Sequence, residues 1–118
     1  MRRTAPLLAA VILVLATLSA CGGGSPGSSN SGPKKIDITF SGSSVTPNGE
    51  KVEVGVGQKI ELHVKADAPG EIHVHSTPEQ ELQYDQGTTD LTLTIDKPGL
   101  VDVESHALEK TILQLEVR

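Results

Sequence analysis

The sequence has very few of the residues that usually form disulfides, soft metal sites or aromatic cores. Among its 118 residues there is one cysteine, one methionine, one tyrosine, one phenylalanine and no tryptophan. The cysteine is Cys21 and the methionine is Met1, so the chain after Cys21 has no disulfide, no thiolate metal ligand and no cysteine nucleophile. A core formed by that part of the chain must be almost purely aliphatic, with Phe40 and Tyr84 as its aromatic candidates.

Positive charge is also scarce. The chain has 10 Lys and Arg against 15 Asp and Glu, and losing Arg2 and Arg3 with an N-terminal segment would leave 8 against 15, or −7. This balance predicts that the protein does not bind nucleic acid, because its field would repel a phosphate backbone. It also predicts repulsion from an anionic membrane surface.

Catalytic patterns are missing as well. Ser105 and His106 are sequence neighbours, which does not place a hydroxyl and an imidazole in the geometry of attack. Gly55-Val56-Gly57 precedes a predicted strand rather than a helix, so it reads as a turn and not as a phosphate-binding loop. We therefore expect that the protein is not an enzyme.

The N-terminal segment has the layout of an export signal. Arg2 and Arg3 precede an apolar run over residues 6–18, and the small residues Ser19 and Ala20 come just before Cys21. The run is shorter than the ~20 apolar residues that a membrane-spanning helix needs. An ordinary secretory signal followed by a chance cysteine is the alternative interpretation.

Leu18-Ser19-Ala20-Cys21 resembles the bacterial lipobox. The resemblance implies that residues 1–20 are a lipoprotein signal peptide and that Cys21 becomes the first residue, carrying palmitate-type acyl chains. Several acyl chains on one residue give stable anchoring. The implied location is the extracytoplasmic side of a bacterial cell membrane, with the lipid as the membrane partner.

Residues 21–34 are rich in glycine, serine and proline, a composition that behaves as a flexible coil. We expect this segment to be a tether that separates the folded domain, residues 35–118, from the membrane by about 20 Å.

Short alternating runs of apolar and polar residues follow, separated by turn residues about every ten positions. This pattern predicts an all-β, antiparallel Greek-key β-sandwich of about seven strands. Residues 77–87 read as a long polar loop with Leu82 and Tyr84 as anchors, and short helical turns are candidates only near residues 78–83 and 107–110. The predicted strands centre on residues 36–40, 52–54, 60–64, 72–74, 91–95, 101–103 and 113–117.

Four segments, residues 54–60, 68–75, 97–103 and 105–117, together resemble the cupredoxin-like domains of exported bacterial proteins. Small lipoproteins and periplasmic iron-uptake components have such domains. The resemblance covers roughly residues 36–118 and implies a cupredoxin-like sandwich.

In copper-carrying members of that family, one histidine comes from the strand that matches residues 72–75. A cysteine, a second histidine and often a methionine come from the loop between the last two strands. Here that loop contains His106, and Glu104 lies near the position of the cysteine. A type 1 blue-copper centre needs the thiolate, so none is expected.

The histidines are the candidate metal ligands. His73 and His75 are two residues apart on one strand, so their rings leave the same face about 6.6 Å apart. The resemblance places the loop with His106 beside the end of that strand. Three imidazoles, or two and a carboxylate such as Glu104, suit Cu(II) or Zn(II). His73, His75 and His106 are therefore interpreted as a site for copper or zinc.

A second interpretation stays open. Ile72 and Val74 are expected to point inward, so His73 and His75 fit equally well on a solvated strand face. The domain would then be a metal-free interaction or adaptor module that meets another envelope protein. His63, between Glu61 and Lys65, is expected to be an ordinary surface residue.

Overall fold

The computed structural model describes residues 32–118, which form nine strands. The predicted signal peptide, Cys21 and most of the predicted tether lie outside the described residues. Within residues 32–118, no helix is long and apolar enough to cross a membrane. The strands are β1 (Lys34–Ser41), β2 (Ser44–Thr46), β3 (Glu50–Val54), β4 (Ile60–Ala66), β5 (Gly70–Val74), β6 (Gln80–Tyr84), β7 (Gly87–Leu93), β8 (Gly99–Ser105) and β9 (Lys110–Val117).

The strands form two sheets. One has four strands in the order β2-β1-β4-β7, and the other has five in the order β3-β9-β8-β5-β6. The predicted all-β sandwich is confirmed. The structure differs from the prediction in two details. It has nine strands instead of about seven, and two strand pairs are parallel, namely β1 with β4 and β3 with β9. Alternation of apolar residues shows which face of a strand is buried but carries no information about strand direction, so the parallel pairs could not be foreseen.

The core lies between the sheets and is aliphatic apart from one aromatic pair. Phe40 of β1 and Tyr84 of β6 stack with ring centroids 4.7 Å apart and planes 14° apart, joining one sheet to the other. Offset stacking of this kind adds to the stabilisation from burial alone. The buried apolar residues are Ile36, Ile38, Phe40, Val45, Val54, Ile60, Leu62, Val64, Ile72, Val74, Tyr84, Leu93, Ile95, Val101, Val103, Ile112, Leu113, Leu115 and Val117.

The segment predicted as a long polar loop, residues 77–87, instead contains strand β6. Leu82 and Tyr84 of β6 pack against the core, as the alternation Gln80-Leu82-Tyr84 would allow. The helical turn considered near residues 78–83 is therefore wrong. Polar residues outnumber apolar ones within this short strand, so its alternation is weak in the sequence.

Strand β6 matters because it borders β5. In the register of the sheet, His73 of β5 is opposite Glu81 of β6 on one side and Glu104 of β8 on the other. The turn from β8 to β9 closes with a hydrogen bond from the Glu109 amide to the His106 carbonyl, 3.1 Å long. These pairings place the turn that carries His106 next to the end of β5.

Candidate metal site

Three histidines form one cluster on the outer face of the five-stranded sheet. His73 lies in the middle, with its ring centroid 4.5 Å from that of His75 and 4.5 Å from that of His106. The planes differ by 28° and 27° in these two pairs, so both are stacked. The rings of His75 and His106 are 6.0 Å apart and tilted by 45°. The structure therefore brings together His73, His75 and His106, which we call the histidine cluster.

The cluster forms because β5 alternates. Ile72 and Val74 are fully buried in the core, which sends the side chains of His73 and His75 to the opposite face. His73 is nevertheless only 9% exposed, since the two neighbouring imidazoles and nearby carboxylates cover it. His73 is therefore not a solvated surface residue, whereas His106 is well exposed.

Glutamates surround the histidine cluster. Glu79 Oε2 is 3.1 Å from His73 Nε2, and Glu79 Oε1 is 3.6 Å from His75 Nδ1. Glu104 Oε2 is 2.8 Å from His75 Nε2 and 3.8 Å from His106 Nε2.

Glu104 is the carboxylate that the sequence offers as a ligand, whereas Glu79 and Glu81 fall in the segment predicted as a long polar loop. Glu81 Oε1 in fact approaches His73 Nδ1 to 4.0 Å. The alternation of apolar and polar residues within β6 is the signal that indicates a strand here. Pairing with β5 brings that strand beside His73.

These contacts shift two pKa values in opposite directions. The pKa of His75 is raised, chiefly by its hydrogen bond to Glu104 and less by the charge of Glu79. The pKa of Glu79 is lowered, chiefly by its hydrogen bond to His73. Both shifts show that carboxylates and imidazoles interact, and that the carboxylates favour a positive charge at the cluster.

Three sets of side chains have ligand atoms that all lie within 4.8 Å of one another: His73, His75 and Glu79; His75, Glu104 and His106; and Glu71, His73 and Glu81. Each set combines imidazole nitrogen with carboxylate oxygen, the donors that Zn(II) and Cu(II) accept. Residues 32–118 contain no cysteine and no methionine, so they do not fit a type 1 blue-copper centre.

The fourth histidine is not part of this arrangement. His63 lies on β4 in the other sheet, where its Nδ1 is 2.6 Å from Asp90 Oδ1 on β7. It provides a matched control for experiments on the cluster.

The domain has the fold of the cupredoxins. A mutant of amicyanin in the reduced Cu(I) form at pH 4 aligns with a TM-score of 0.52 and 11% identity, covering 71% of this chain and 82% of amicyanin. The purple cupredoxin from Nitrosopumilus maritimus aligns with a TM-score of 0.51 and 14% identity, covering 72% of this chain and 99% of that protein. A second amicyanin mutant in the Cu(I) form has a TM-score of 0.52 and 16% identity, with coverage of 74% and 83%.

Identities this low show a shared fold and nothing finer. No family model matches the sequence, and no curated protein matches it. The domain is thus cupredoxin-like in fold, as the resemblance implied, while the similarity to iron-uptake components stays a prediction.

Proposed function

We propose that the chain is a membrane-anchored envelope lipoprotein whose cupredoxin-like domain binds a divalent metal ion, Cu(II) or Zn(II), through the histidine cluster. One observation carries the proposal. His106, which comes from the turn after β8, stacks on His73 of β5, and His75 also stacks on the ring of His73. Three imidazoles from two separate segments therefore meet at one place.

The surroundings of the cluster support cation binding. Glu79 and Glu104 each contact two of the three histidines, so the negative charge is directed at the imidazole nitrogens. Imidazole nitrogens beside carboxylate oxygens form a mixed ligand set for a divalent ion, and a bound ion would replace the proton that Glu104 favours on His75. Carboxylates beside metal-binding histidines also orient the rings and raise their basicity.

The donor types favour Cu(II) and Zn(II) over Cu(I). Thiolate and thioether sulfur select Cu(I), and the domain has neither. Imidazole and carboxylate suit the harder divalent ions. The proposed role is accordingly to hold or pass on a divalent ion, and not to transfer electrons through a blue-copper centre.

The anchor is the second part of the proposal. A lipid on Cys21 would hold the protein at the outer side of the cytoplasmic membrane, and the residues up to 34 would act as the tether. The excess of acidic residues supports a lipid anchor, because a negatively charged domain gains little from the membrane surface itself.

Isothermal titration of the purified full-length chain without a polyhistidine tag, in detergent, tests metal binding. We expect saturable binding of Cu(II) and Zn(II), lost in a variant with His73→Ala and His75→Ala and kept in His63→Ala. No binding by the unaltered protein, or equal binding by the double variant, would contradict the proposal.

A metal-free adaptor for another envelope protein is the alternative function. The residue that bears on it is Leu100, whose side chain is 60% exposed on β8 and stands opposite Glu116 of β9. A single exposed apolar residue is ordinary on a protein surface, so Leu100 serves here as the place where such a contact is tested. Under this alternative, neither the unaltered protein nor a variant of the histidine cluster would bind metal. Leu100→Ser would disrupt the contact with the other envelope protein.

A further inference from the structure

His75 has a different carboxylate at each of its two ring nitrogens. Its Nε2 is 2.8 Å from Glu104 Oε2, and its Nδ1 is 3.6 Å from Glu79 Oε1. The two nitrogens of an imidazole point away from each other, and in His75 each of them has its own carboxylate nearby. His75 also belongs to two of the three ligand sets, one with Glu79 and one with Glu104.

We propose that the histidine cluster is a two-ion site in which the imidazole of His75 bridges two divalent ions. The inference rests on the proposed metal binding and adds the number of ions and the bridging ligand. One ion lies on the Nε2 side of His75 and the other on the Nδ1 side.

The Nε2 side offers Glu104 and His106 as the further ligands. Glu104 Oε2 already lies between His75 Nε2 and His106 Nε2, at 2.8 Å and 3.8 Å. The rings of His75 and His106 are tilted by 45° and not stacked. Because the lone pair of an imidazole nitrogen lies in the ring plane, these tilted rings can direct two nitrogens at one ion with little movement, whereas the stacked rings of His73 and His75 must turn to share an ion on the Nδ1 side.

The Nδ1 side offers Glu79 and His73. Glu79 bridges the two rings, with Oε2 at 3.1 Å from His73 Nε2 and Oε1 at 3.6 Å from His75 Nδ1. If His73 binds an ion through Nε2, its Nδ1 faces Glu81 Oε1, 4.0 Å away. A carboxylate behind the second nitrogen of a metal-binding histidine is the usual outer partner of such a ligand.

Binding of two divalent ions releases one proton and leaves the positive and negative charges nearly equal. A neutral imidazole carries one N–H proton, so binding ions at both nitrogens of His75 releases that proton to solvent and leaves an imidazolate. The imidazolate, Glu79 and Glu104 then supply three negative charges against four positive ones. Glu71 and Glu81, which form a ligand set with His73, supply more negative charge at the same place.

Titration with Cu(II) followed by electron paramagnetic resonance tests the bridge on the full-length, untagged protein in detergent. One equivalent should give the spectrum of isolated Cu(II). A second equivalent should bind and reduce the total signal, because two Cu(II) ions joined by an imidazolate couple magnetically. One equivalent each of Cu(II) and Zn(II) should restore the full signal of one copper, since Zn(II) is diamagnetic.

Variants separate the two sides of the bridge. Glu79→Gln should lose the ion on the Nδ1 side of His75 and show uncoupled copper. Glu104→Gln should lose the ion on the Nε2 side and also show uncoupled copper. Glu53→Gln, which removes a carboxylate from β3 at the far edge of the sheet, should bind two coupled ions.

The outcomes distinguish this inference from the proposed function. Binding of a single ion that depends on the histidine cluster would overturn the bridge and keep the metal site. Two ions whose signals add without coupling would also overturn the bridge. No binding at all would overturn both.

Discussion

Glu104 accepts a hydrogen bond from the ring of His75, with 2.8 Å between Glu104 Oε2 and His75 Nε2. The contact connects β8 to β5 across the outer face of the sheet. Glu104 also lies near the position where the resemblance to copper-carrying cupredoxins would place a cysteine. The resemblance thus implies a hard oxygen donor where those proteins have a soft sulfur, and this is the basis for proposing a divalent ion.

The Glu104 contact has a measurable effect on the metal-free protein. NMR titration should show a pKa of His75 above the ordinary value of 6.5, and Glu104→Gln should lower it. Because the folded-state pKa is the higher one, this pair stabilises the fold fully below the unfolded pKa, and its contribution disappears as pH rises through the folded pKa. Glu53→Gln is the control and should not change the pKa of His75. An unchanged pKa of His75 in Glu104→Gln would contradict the claim that Glu104 raises it.

Gly70 is required by the tyrosine that lies over it. A Cβ at residue 70 would overlap the hydroxyl oxygen of Tyr84 and come 2.6 Å from its Cζ, so Gly70→Ala must push the ring out of its stack with Phe40. We expect a loss of about 1–3 kcal/mol in the free energy of unfolding, measured with urea. Gly32→Ala, where a Cβ would meet nothing within 4 Å, should be close to neutral. Equal stability of the two variants would argue against the packing described.

Much of this fold could be predicted from the sequence, because alternation such as Ile60-Leu62-Val64 records directly which face of a strand is buried. The same alternation predicted that His73 and His75 share a face. Strand β6 cannot be predicted in the same way, since its polar residues mask the pattern, and the sequence alone therefore places Glu79 and Glu81 in a loop.

The position of His106 depends on pairing between distant segments. Alternation carries no information about such pairing, and the resemblance alone suggested that His106 lies near β5. The burial of His73 was also unpredictable, because it arises from rings that come from two parts of the chain.

Ser105 has a buried hydroxyl with no hydrogen-bond partner among residues 32–118. A buried polar group without a partner costs about 1–3 kcal/mol in desolvation. Ser105→Ala should therefore raise the free energy of unfolding by about 1 kcal/mol and leave metal binding unchanged, although it neighbours Glu104 and His106. Urea denaturation and calorimetric titration of the same sample check both points, and a destabilised Ser105→Ala variant would show that the hydroxyl has a partner.

Cys21 is predicted to carry the membrane anchor. Cys21→Ala should leave an uncut precursor, because neither lipid attachment nor cleavage before the cysteine can occur, or release the protein into the medium where the segment is cut as an ordinary secretory signal. Cell fractionation and intact-mass measurement check this, with Ser19→Ala as a control that keeps a small residue before the cleavage point. A Cys21→Ala chain that has lost its signal segment and still requires detergent for release from the membrane, or a mature unaltered chain whose mass includes no acyl chains, would contradict lipidation.

The most direct test of the metal site is a crystal structure of the protein grown with Zn(II), with diffraction recorded on both sides of the zinc absorption edge. The account predicts an anomalous peak about 2.0–2.1 Å from ring nitrogens of the histidine cluster, with Glu79 or Glu104 completing the coordination. A well-ordered cluster without such a peak, or zinc bound at His63 instead, would contradict it.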